Sequence, residues 1–276
     1  MCSRPSRRSA SIVARPDIAS AVRAVLLAAE PRDKVFAARA AARDWRLGRL
    51  DHRFDCAMPD RPARPAEPEL LPARHMPRRG KGGSERARIA MLHALAHIEF
   101  TAIDLAFDLI GRFGGEFVRD FVDDWMRVGA EEAMHFALLD RRLRALGSRY
   151  GALPAHDGLW EAAESTAHDA LARLAVVPMV LEARGLDVTP MTIDRFEAAG
   201  DVTSARILAR IMDDEVRHVG FGVTWFESRC KQANIAPQQH WKQLVSRHFN
   251  GRVKPPFNDS ARRRAGLTRD FYSLLA

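Results

Sequence analysis

Four stretches of this sequence with helical periodicity carry ionisable residues in the middle of their apolar faces. These residues are Glu99 on the first stretch, Glu132 and His135 on the second, Glu182 on the third, and Glu215 and His218 on the fourth. A buried carboxylate without a partner is strongly destabilising, and carboxylates that converge also repel one another. A multivalent cation bound between them would remove both penalties. The pattern therefore predicts a buried metal site.

Helical periodicity dominates the chain, and no segment alternates with a period of two for long enough to predict a sheet. Long helices are predicted over residues 84–111, 116–146, 158–184 and 203–230, with a short helical piece at 191–199. Shorter helices are predicted over 17–29, 33–47, 237–249 and 260–275. Pro178 lies one turn before Glu182 and removes a backbone hydrogen bond, which predicts a kink. The predicted fold class is all-α.

Charge divides the chain into three regions. Residues 1–88 hold 20 Lys+Arg against 10 Asp+Glu, residues 89–228 hold 13 against 23, and residues 229–276 hold 10 against 2. We therefore predict a basic N-terminal arm of helices and extended chain over 1–83, a four-helix bundle over 84–230, and a basic helical arm over 231–276. The arms could bind an anionic partner such as RNA, or they could pair with the acidic middle of the chain.

The two Glu-x-x-His sequences each place a carboxylate and an imidazole about one turn apart on the same helix face. Each follows another glutamate of the set by 33 residues, from Glu99 to Glu132 and from Glu182 to Glu215. The equal spacing predicts two similar hairpins joined by a crossover, each of which supplies half of the site. About 0.5 Glu-x-x-His matches are expected by chance in such a composition, so the pair is more informative than either match. The alternative is a core of His–Glu pairs without metal.

The two motifs, EEAMH at 131–135 and DEVRH at 214–218, resemble the paired motifs of oxygen-activating di-iron enzymes. Those enzymes include soluble hydrocarbon monooxygenases, acyl desaturases and the small subunits of ribonucleotide reductase. The resemblance implies a ferritin-like four-helix bundle with a dinuclear metal site. It also implies that the residue before each ligand glutamate hydrogen-bonds the histidine of the opposite motif, so that Asp214 orients His135 and Glu131 orients His218. A surface role is the alternative for Glu131.

Two longer segments, HALAHIEFTAIDLAFD at 93–108 and PFNDSARRRAG at 256–266, resemble a bacterial ferritin-like family that is catalogued as a domain of unknown function. This resemblance spans most of the chain and includes both arms. It implies the fold, but it implies no general activity that could be transferred to this protein.

A site of carboxylates and imidazoles without thiolates favours iron, with manganese as the main competitor. The leading hypothesis is an oxidase or hydroxylase in which two iron ions activate O2 toward an unidentified organic substrate, either RNA or a small metabolite. Such an enzyme could also need an electron-donor protein, and it is expected to be a monomer or homodimer. The first alternative is a ferroxidase of the ferritin type, which would form a large assembly. The second is a non-enzymatic helical interaction protein.

Three features bear on location. The three cysteines are too few and too widely spaced for a disulfide framework or a zinc site, which favours a reducing cytoplasm. The N-terminus has no apolar segment of the kind that a secretory signal needs, and its Arg/Ser content fits a disordered basic leader or a transit peptide. No run approaches the roughly 18 apolar residues that span a bilayer, so no membrane segment is predicted.

Overall fold

The computed structural model of the protein describes residues 15–77 and 83–273. Within these ranges the secondary structure is helical, and β-structure is limited to isolated bridges at Asp17–Asp51 and Leu70–Ala155. The helices are α1 (Ile18–Leu27), α2 (Pro31–Arg46), α3 (Glu85–Phe113), α4 (Arg119–Ala145), α5 (Gly158–Ser165), α6 (Ala170–Val176), α7 (Ala183–Ala198), α8 (Val202–Gln232), α9 (Pro237–His248), α10 (Asp259–Arg264) and α11 (Arg269–Tyr272). The predicted all-α class is confirmed.

Two long helical hairpins form the centre of the molecule. α3 packs against α4, α7 packs against α8, and α4 also contacts α8. A short connection at 114–118 joins the helices of the first hairpin, whereas the connection from α4 to α6 covers residues 146–169 and contains α5. The chain therefore forms a hairpin, a crossover that packs α5 on α3, and a second hairpin.

The third long helix differs from its prediction at both ends. We predicted one helix over 158–184 and a separate piece at 191–199, but the chain forms α5, a short turn, and then continuous helical structure from α6 through α7. The turn ends at Asp169, whose side chain caps α6 by accepting hydrogen bonds from two backbone N–H groups. Packing of α7 against α8 carries the helix through Pro190, because tertiary contacts can override a low helix propensity.

A π-helical segment, Val177–Glu182, joins α6 to α7. Pro178 has no backbone N–H, so the regular hydrogen-bond ladder cannot continue through it, and the distortion predicted there takes the form of a widened turn. α8 approaches closely at this point, since a Cβ added at Gly222 would lie 2.6 Å from the Cβ of Pro178. The widened turn is thus packed tightly on α8, and Glu182 lies at its end.

The N-terminal arm packs on the first hairpin, with α1 against α3 and α2 against α4. Part of its basic charge is neutralised inside the protein, because Lys34 and Arg64 contact Asp104 of α3 at 2.5 and 2.7 Å. The basic leader predicted at the N-terminus falls on residues 1–14. The glycine-rich end of the extended chain predicted before residue 84 falls mainly on residues 78–82. Both lie outside the described residues.

The C-terminal arm packs on the second hairpin. Arg262 of α10 forms two hydrogen bonds to Asp187 of α7, at 2.8 and 2.7 Å, so this arm also pairs with the acidic middle of the chain. The single helix predicted over 260–275 was wrong within the described residues. The chain turns between α10 and α11 at Gly266, whose φ of 78° belongs to the left-handed region that favours glycine.

One helix passes a length and composition test for a membrane span, although no membrane segment was predicted. The stretch Glu85–Glu116, which contains α3, is long and apolar enough to cross a bilayer by length and composition. Its most apolar window is 67% buried inside the protein, and the core helix of a soluble protein passes the same test. The prediction missed this helix because it counted uninterrupted apolar residues, whereas single charged residues such as Glu99 and Asp104 interrupt the apolar sequence here.

Candidate metal centre

Four helical segments bring the predicted site residues to one place. Glu99 comes from the middle of α3, and Glu182 comes from the end of the π-helical segment. The remaining residues come from two helices: Glu131, Glu132 and His135 from α4, and Asp214, Glu215 and His218 from α8. Because each motif spans about one helical turn, its glutamate and histidine reach the same side of their helix.

One histidine faces three carboxylates. The Nδ1 atom of His135 lies 3.2 Å from Glu99 Oε2, 3.4 Å from Glu132 Oε2 and 3.9 Å from Glu215 Oε1. One potential ligand atom from each of these four residues lies within 4.8 Å of the others. This group, Glu99, Glu132, His135 and Glu215, could hold a metal ion.

The second histidine occupies the other side of the same carboxylates. The Nδ1 atom of His218 lies 2.9 Å from Glu132 Oε1 and 3.4 Å from Glu215 Oε1. The two imidazole rings are 5.8 Å apart between centroids. Glu132 and Glu215 therefore lie between the two imidazoles.

Glu182 lies beside this group without belonging to the tightest set of donor atoms. Its Oε2 atom is buried and has no hydrogen-bond partner. Burial raises the pKa of Glu182 well above its usual range, and the nearby charges of Glu215 and Glu132 raise it further. A neighbouring cation would stabilise the charged form of this side chain.

A carboxylate of the opposite motif also contacts the Nε2 atom of each imidazole, whose Nδ1 atom faces the cluster. The Nε2 atom of His135 lies 3.2 Å from Asp214 Oδ2, and the Nε2 atom of His218 lies 2.9 Å from Glu131 Oε2. This is the crossed pairing that the resemblance to di-iron enzymes implies. If the acids accept the Nε2 protons, the Nδ1 lone pairs are directed into the cluster, as in metal-bound histidines.

The cluster favours bound protons on its histidines. Burial alone would lower the pKa of His135, but close contacts with the carboxylates of Glu132 and Glu99 raise it to about 11. Burial likewise opposes the charge of His218, and Glu215 together with Glu131 raises its pKa well above the usual range. A divalent cation would compete with these protons for the same donor atoms.

The remaining acids divide according to their neighbours. Burial and the charge of Glu132 raise the pKa of Glu99 well above its usual range. The pKa of Glu215 is also raised, first by burial and then by Glu132. Burial opposes ionisation of Glu132, but its close contacts with His135 and His218 lower its pKa. The site thus contains more carboxylates than the two imidazoles can neutralise.

The donor set fits a transition metal. Within the described residues, both carboxylate oxygens of Glu132, Oε2 of Glu182 and Nδ1 of His218 are buried and make no contact with the geometry of a hydrogen bond, although Nδ1 of His218 lies 2.9 Å from Oε1 of Glu132. Buried polar atoms are nearly always satisfied, so this concentration of unsatisfied donors and acceptors needs an explanation. Bound iron or manganese would provide one, because carboxylate and imidazole ligands suit both metals.

Asp214 and Glu131, which contact the Nε2 atoms of the histidines, are called the outer acids here. The sequence predicted no role for the arginines that surround them. Arg217 contacts both Asp214 and Glu131, Arg210 contacts Asp214, and Arg127 contacts Glu131. The only available signal was the position of Arg217 inside the second motif. Periodicity places that arginine on the helix surface, but it does not reveal which side chains of α4 it meets.

These features define an all-α protein with a buried Glu/His cluster that could hold metal. The chain belongs to the family described as "Protein of unknown function (DUF455)", which matches residues 27–273. A relative from Haemophilus influenzae (strain ATCC 51907 / DSM 11121 / KW20 / Rd), named "Uncharacterized protein", is 39% identical over 211 residues, which cover 74% of this chain and 73% of the relative. No solved structure matches the chain significantly. The expected membership of a family of unknown function is confirmed.

Proposed function

We propose that the protein holds two metal ions, iron or manganese, in the Glu/His cluster and uses them to activate O2 toward an organic substrate. The observation that most directly supports this proposal is the set of buried atoms without hydrogen-bond partners in Glu132, Glu182 and His218. The ferritin-like di-iron bundle that the two motifs resemble binds a pair of ions with the same set of six ligands, four glutamates and two histidines.

Two ions suit the cluster because its donors fall into two groups. Glu132 has oxygens 3.4 Å from Nδ1 of His135 and 2.9 Å from Nδ1 of His218, and Glu215 lies 3.9 and 3.4 Å from the same two atoms. Both imidazoles are therefore within reach of these two glutamates, which would help to hold the metal on either side. Glu99 and His135 would complete one ligand set, and Glu182 and His218 would complete the other.

Two bound iron ions would supply electrons to O2 in a pair, which the side chains of the protein cannot do. The chain itself orients the donors and shields them from water. Asp214 and Glu131 hold the two imidazoles from behind. Phe100 and Phe136, which directly follow Glu99 and His135 in the chain, are buried and pack with ring centroids 5.2 Å apart.

Metal content per chain tests the proposal. Fe(II) is added anaerobically to the purified protein, and unbound metal is removed. Bound iron is then measured by inductively coupled plasma mass spectrometry. The wild-type protein should retain about two ions per chain. Glu132→Ala and His218→Ala should each lose at least one ion with little change in helical circular dichroism. Glu227→Ala on the exposed side of α8 and His75→Ala on an exposed turn are matched controls that should keep both ions.

Exposure of the loaded protein to air then separates the hypotheses. Oxidation with both ions retained on a monomer or dimer would favour the oxidase or hydroxylase and justify a search for its substrate. Iron that accumulates far beyond about two ions per chain in a large assembly would instead favour a ferroxidase of the ferritin type. If neither iron nor manganese binds stoichiometrically, the metal proposal is wrong.

A further inference from the structure

A single guanidinium nitrogen links the two acids that hold the histidines. Nη2 of Arg217 donates to Asp214 Oδ1 at 2.6 Å and to Glu131 Oε1 at 2.8 Å. Asp214 contacts Nε2 of His135, and Glu131 contacts Nε2 of His218. One atom on the outer side of α8 is therefore connected, through one carboxylate each, to both imidazoles of the cluster.

We propose that Arg217 is a positioning residue that couples the two halves of the candidate metal centre by holding both outer acids at once. The inference rests on the proposed metal function, and it adds a residue for which neither motif spacing nor resemblance provided a role. Loss of Arg217 would remove one hydrogen bond from Asp214 and one from Glu131 at the same time. Both imidazoles would then be held less firmly in the orientation that a metal ligand needs.

The neighbouring arginines cannot make the same connection. Nε of Arg210 lies 2.8 Å from Asp214 Oδ2, and Nε of Arg127 lies 3.1 Å from Glu131 Oε1. In the part of the chain that the structure describes, each of these two arginines contacts only one of the two acids. Their side chains are also more exposed, at 57% and 54%, than that of Arg217, at 36%. Exposed ion pairs are weak and easily replaced by water.

The two motifs are unequal at this position. Arg217 precedes the histidine of the motif on α8, whereas Met134 precedes the histidine of the motif on α4. A methionine cannot donate a hydrogen bond to an acid. The chain therefore has one arginine within its motifs that can join the two acids, and it lies on α8. This inequality makes a single substitution sufficient to test the connection.

The test is a titration with Co(II), whose visible absorption reports its ligands, followed on five proteins. These are the wild type, Arg217→Met, Arg210→Met, Arg127→Met and, as a distant control on α4, Arg144→Met, whose partner is Asp140. Arg217→Met should weaken both binding steps by about 10-fold or more and change the absorption of both ions. Arg210→Met and Arg127→Met should each change only one ion, and Arg144→Met should change neither.

A conservative variant separates positioning from general stability. Because one nitrogen of Arg217 makes both contacts, the ammonium of Arg217→Lys can in principle replace it. This variant should recover most of the affinity that Arg217→Met loses. Wild-type affinity and absorption in Arg217→Met, an effect on one ion only, or a lysine variant as weak as the methionine variant would each overturn the proposal.

A measurement on metal-free protein keeps this test independent of the proposed function. Side-chain 15N chemical shifts of His135 and His218 report the hydrogen bond at each Nε2 atom. Arg217→Met should shift the Nε2 signals of both histidines, whereas Arg210→Met should shift only that of His135. If the wild type binds no metal, the proposed function fails, but this pattern still decides whether Arg217 holds both imidazoles. Unchanged signals in Arg217→Met would overturn the coupling itself.

Discussion

The two sides of α3 carry buried acids that the protein treats in opposite ways. On one side, Asp104 contacts Lys34 and Arg64, and Asp108 contacts Arg112 and Arg173 at 2.7 and 2.6 Å. On the other side, Glu99 faces His135 together with further glutamates. We call the first set the paired network; its members are Lys34, Arg64, Asp104, Asp108, Arg112 and Arg173. The second set is the Glu/His cluster of the candidate metal centre.

The difference lies in where the positive charge comes from. In the paired network each aspartate has two cationic side chains of this chain as partners, so its charge is neutralised within the protein. In the Glu/His cluster four glutamates share two imidazoles, and Glu132 and Glu182 keep buried oxygens without hydrogen-bond partners. Buried acids that the chain neutralises itself support the fold. Buried acids that it leaves unneutralised indicate a ligand that the chain does not supply.

The largest effect is expected in the paired network. Arg173 is 1% exposed, and besides Asp108 it donates to the hydroxyl of Thr166 and the carbonyl of Ala163. Arg173→Met should lower the free energy of unfolding by about 3–5 kcal/mol, because removal of one partner leaves a buried charge insufficiently compensated. Chemical denaturation measures this loss, and Arg144→Met, a change at an exposed pair, should cost less than about 0.5 kcal/mol.

Metal binding by Arg173→Met tests whether the paired network is separate from the Glu/His cluster. If the paired network is purely structural, folded Arg173→Met protein should retain the wild-type number of metal ions. Loss of metal from a protein that still shows native circular dichroism would mean that the two sets are one functional unit, which would contradict the distinction.

The next effect concerns stabilisation by metal. A ligand present at 100 times its Kd stabilises the folded state by about 2.7 kcal/mol, so metal should raise the unfolding free energy of the wild type by at least this amount. His218→Ala should lose most of this gain because it removes a donor from the cluster. Arg173→Met should show the full gain on top of its lower metal-free stability. Equal gains in the wild type and His218→Ala would place the bound metal elsewhere.

Much of this division could be read from the sequence, and part of it could not. Helical periodicity predicted the six cluster residues, because it identifies the face on which a residue lies, and the equal spacing of 33 residues predicted the two hairpins. The resemblance to di-iron enzymes implied the crossed contacts of Asp214 and Glu131. The double contact of Arg217 was missed, since periodicity along α8 does not tell which side chains of α4 lie opposite.

The paired network was missed for a related reason. Asp104 and Asp108 lie on α3, but apart from Arg112 on the same helix, their partners come from the N-terminal arm and from α6, up to 70 residues away along the chain. Net charges of whole regions suggested such pairing only in general terms. The turn between α5 and α6 was missed as well, because α5 ends at Ser165 and the cap at Asp169 begins α6 only a few residues later.

The smallest effect is expected at Glu182, and it has the opposite sign. Burial and the charges of Glu215 and Glu132 raise the pKa of this carboxyl, which means that its charged form destabilises the metal-free fold. Glu182→Gln should therefore increase the metal-free stability by about 1 kcal/mol near neutral pH, because replacement of an uncompensated buried charge is often stabilising. The exposed change Glu227→Gln on α8 should leave stability within about 0.5 kcal/mol of the wild type.

The pH dependence of Glu182→Gln stability tests the direction of this effect independently. Above the ordinary pKa of glutamate, ionisation of Glu182 stabilises the unfolded wild type more than the folded wild type, because the pKa of this carboxyl is raised in the folded state. Glutamine does not titrate, so the variant lacks this effect. The advantage of Glu182→Gln should therefore grow between pH 5 and pH 8, as followed by denaturation of metal-free protein. In the presence of metal the order should reverse, because the variant lacks a donor that the ions would use. A variant that is less stable in both conditions would mean that the Glu182 carboxylate is already neutralised within the protein, like the aspartates of the paired network.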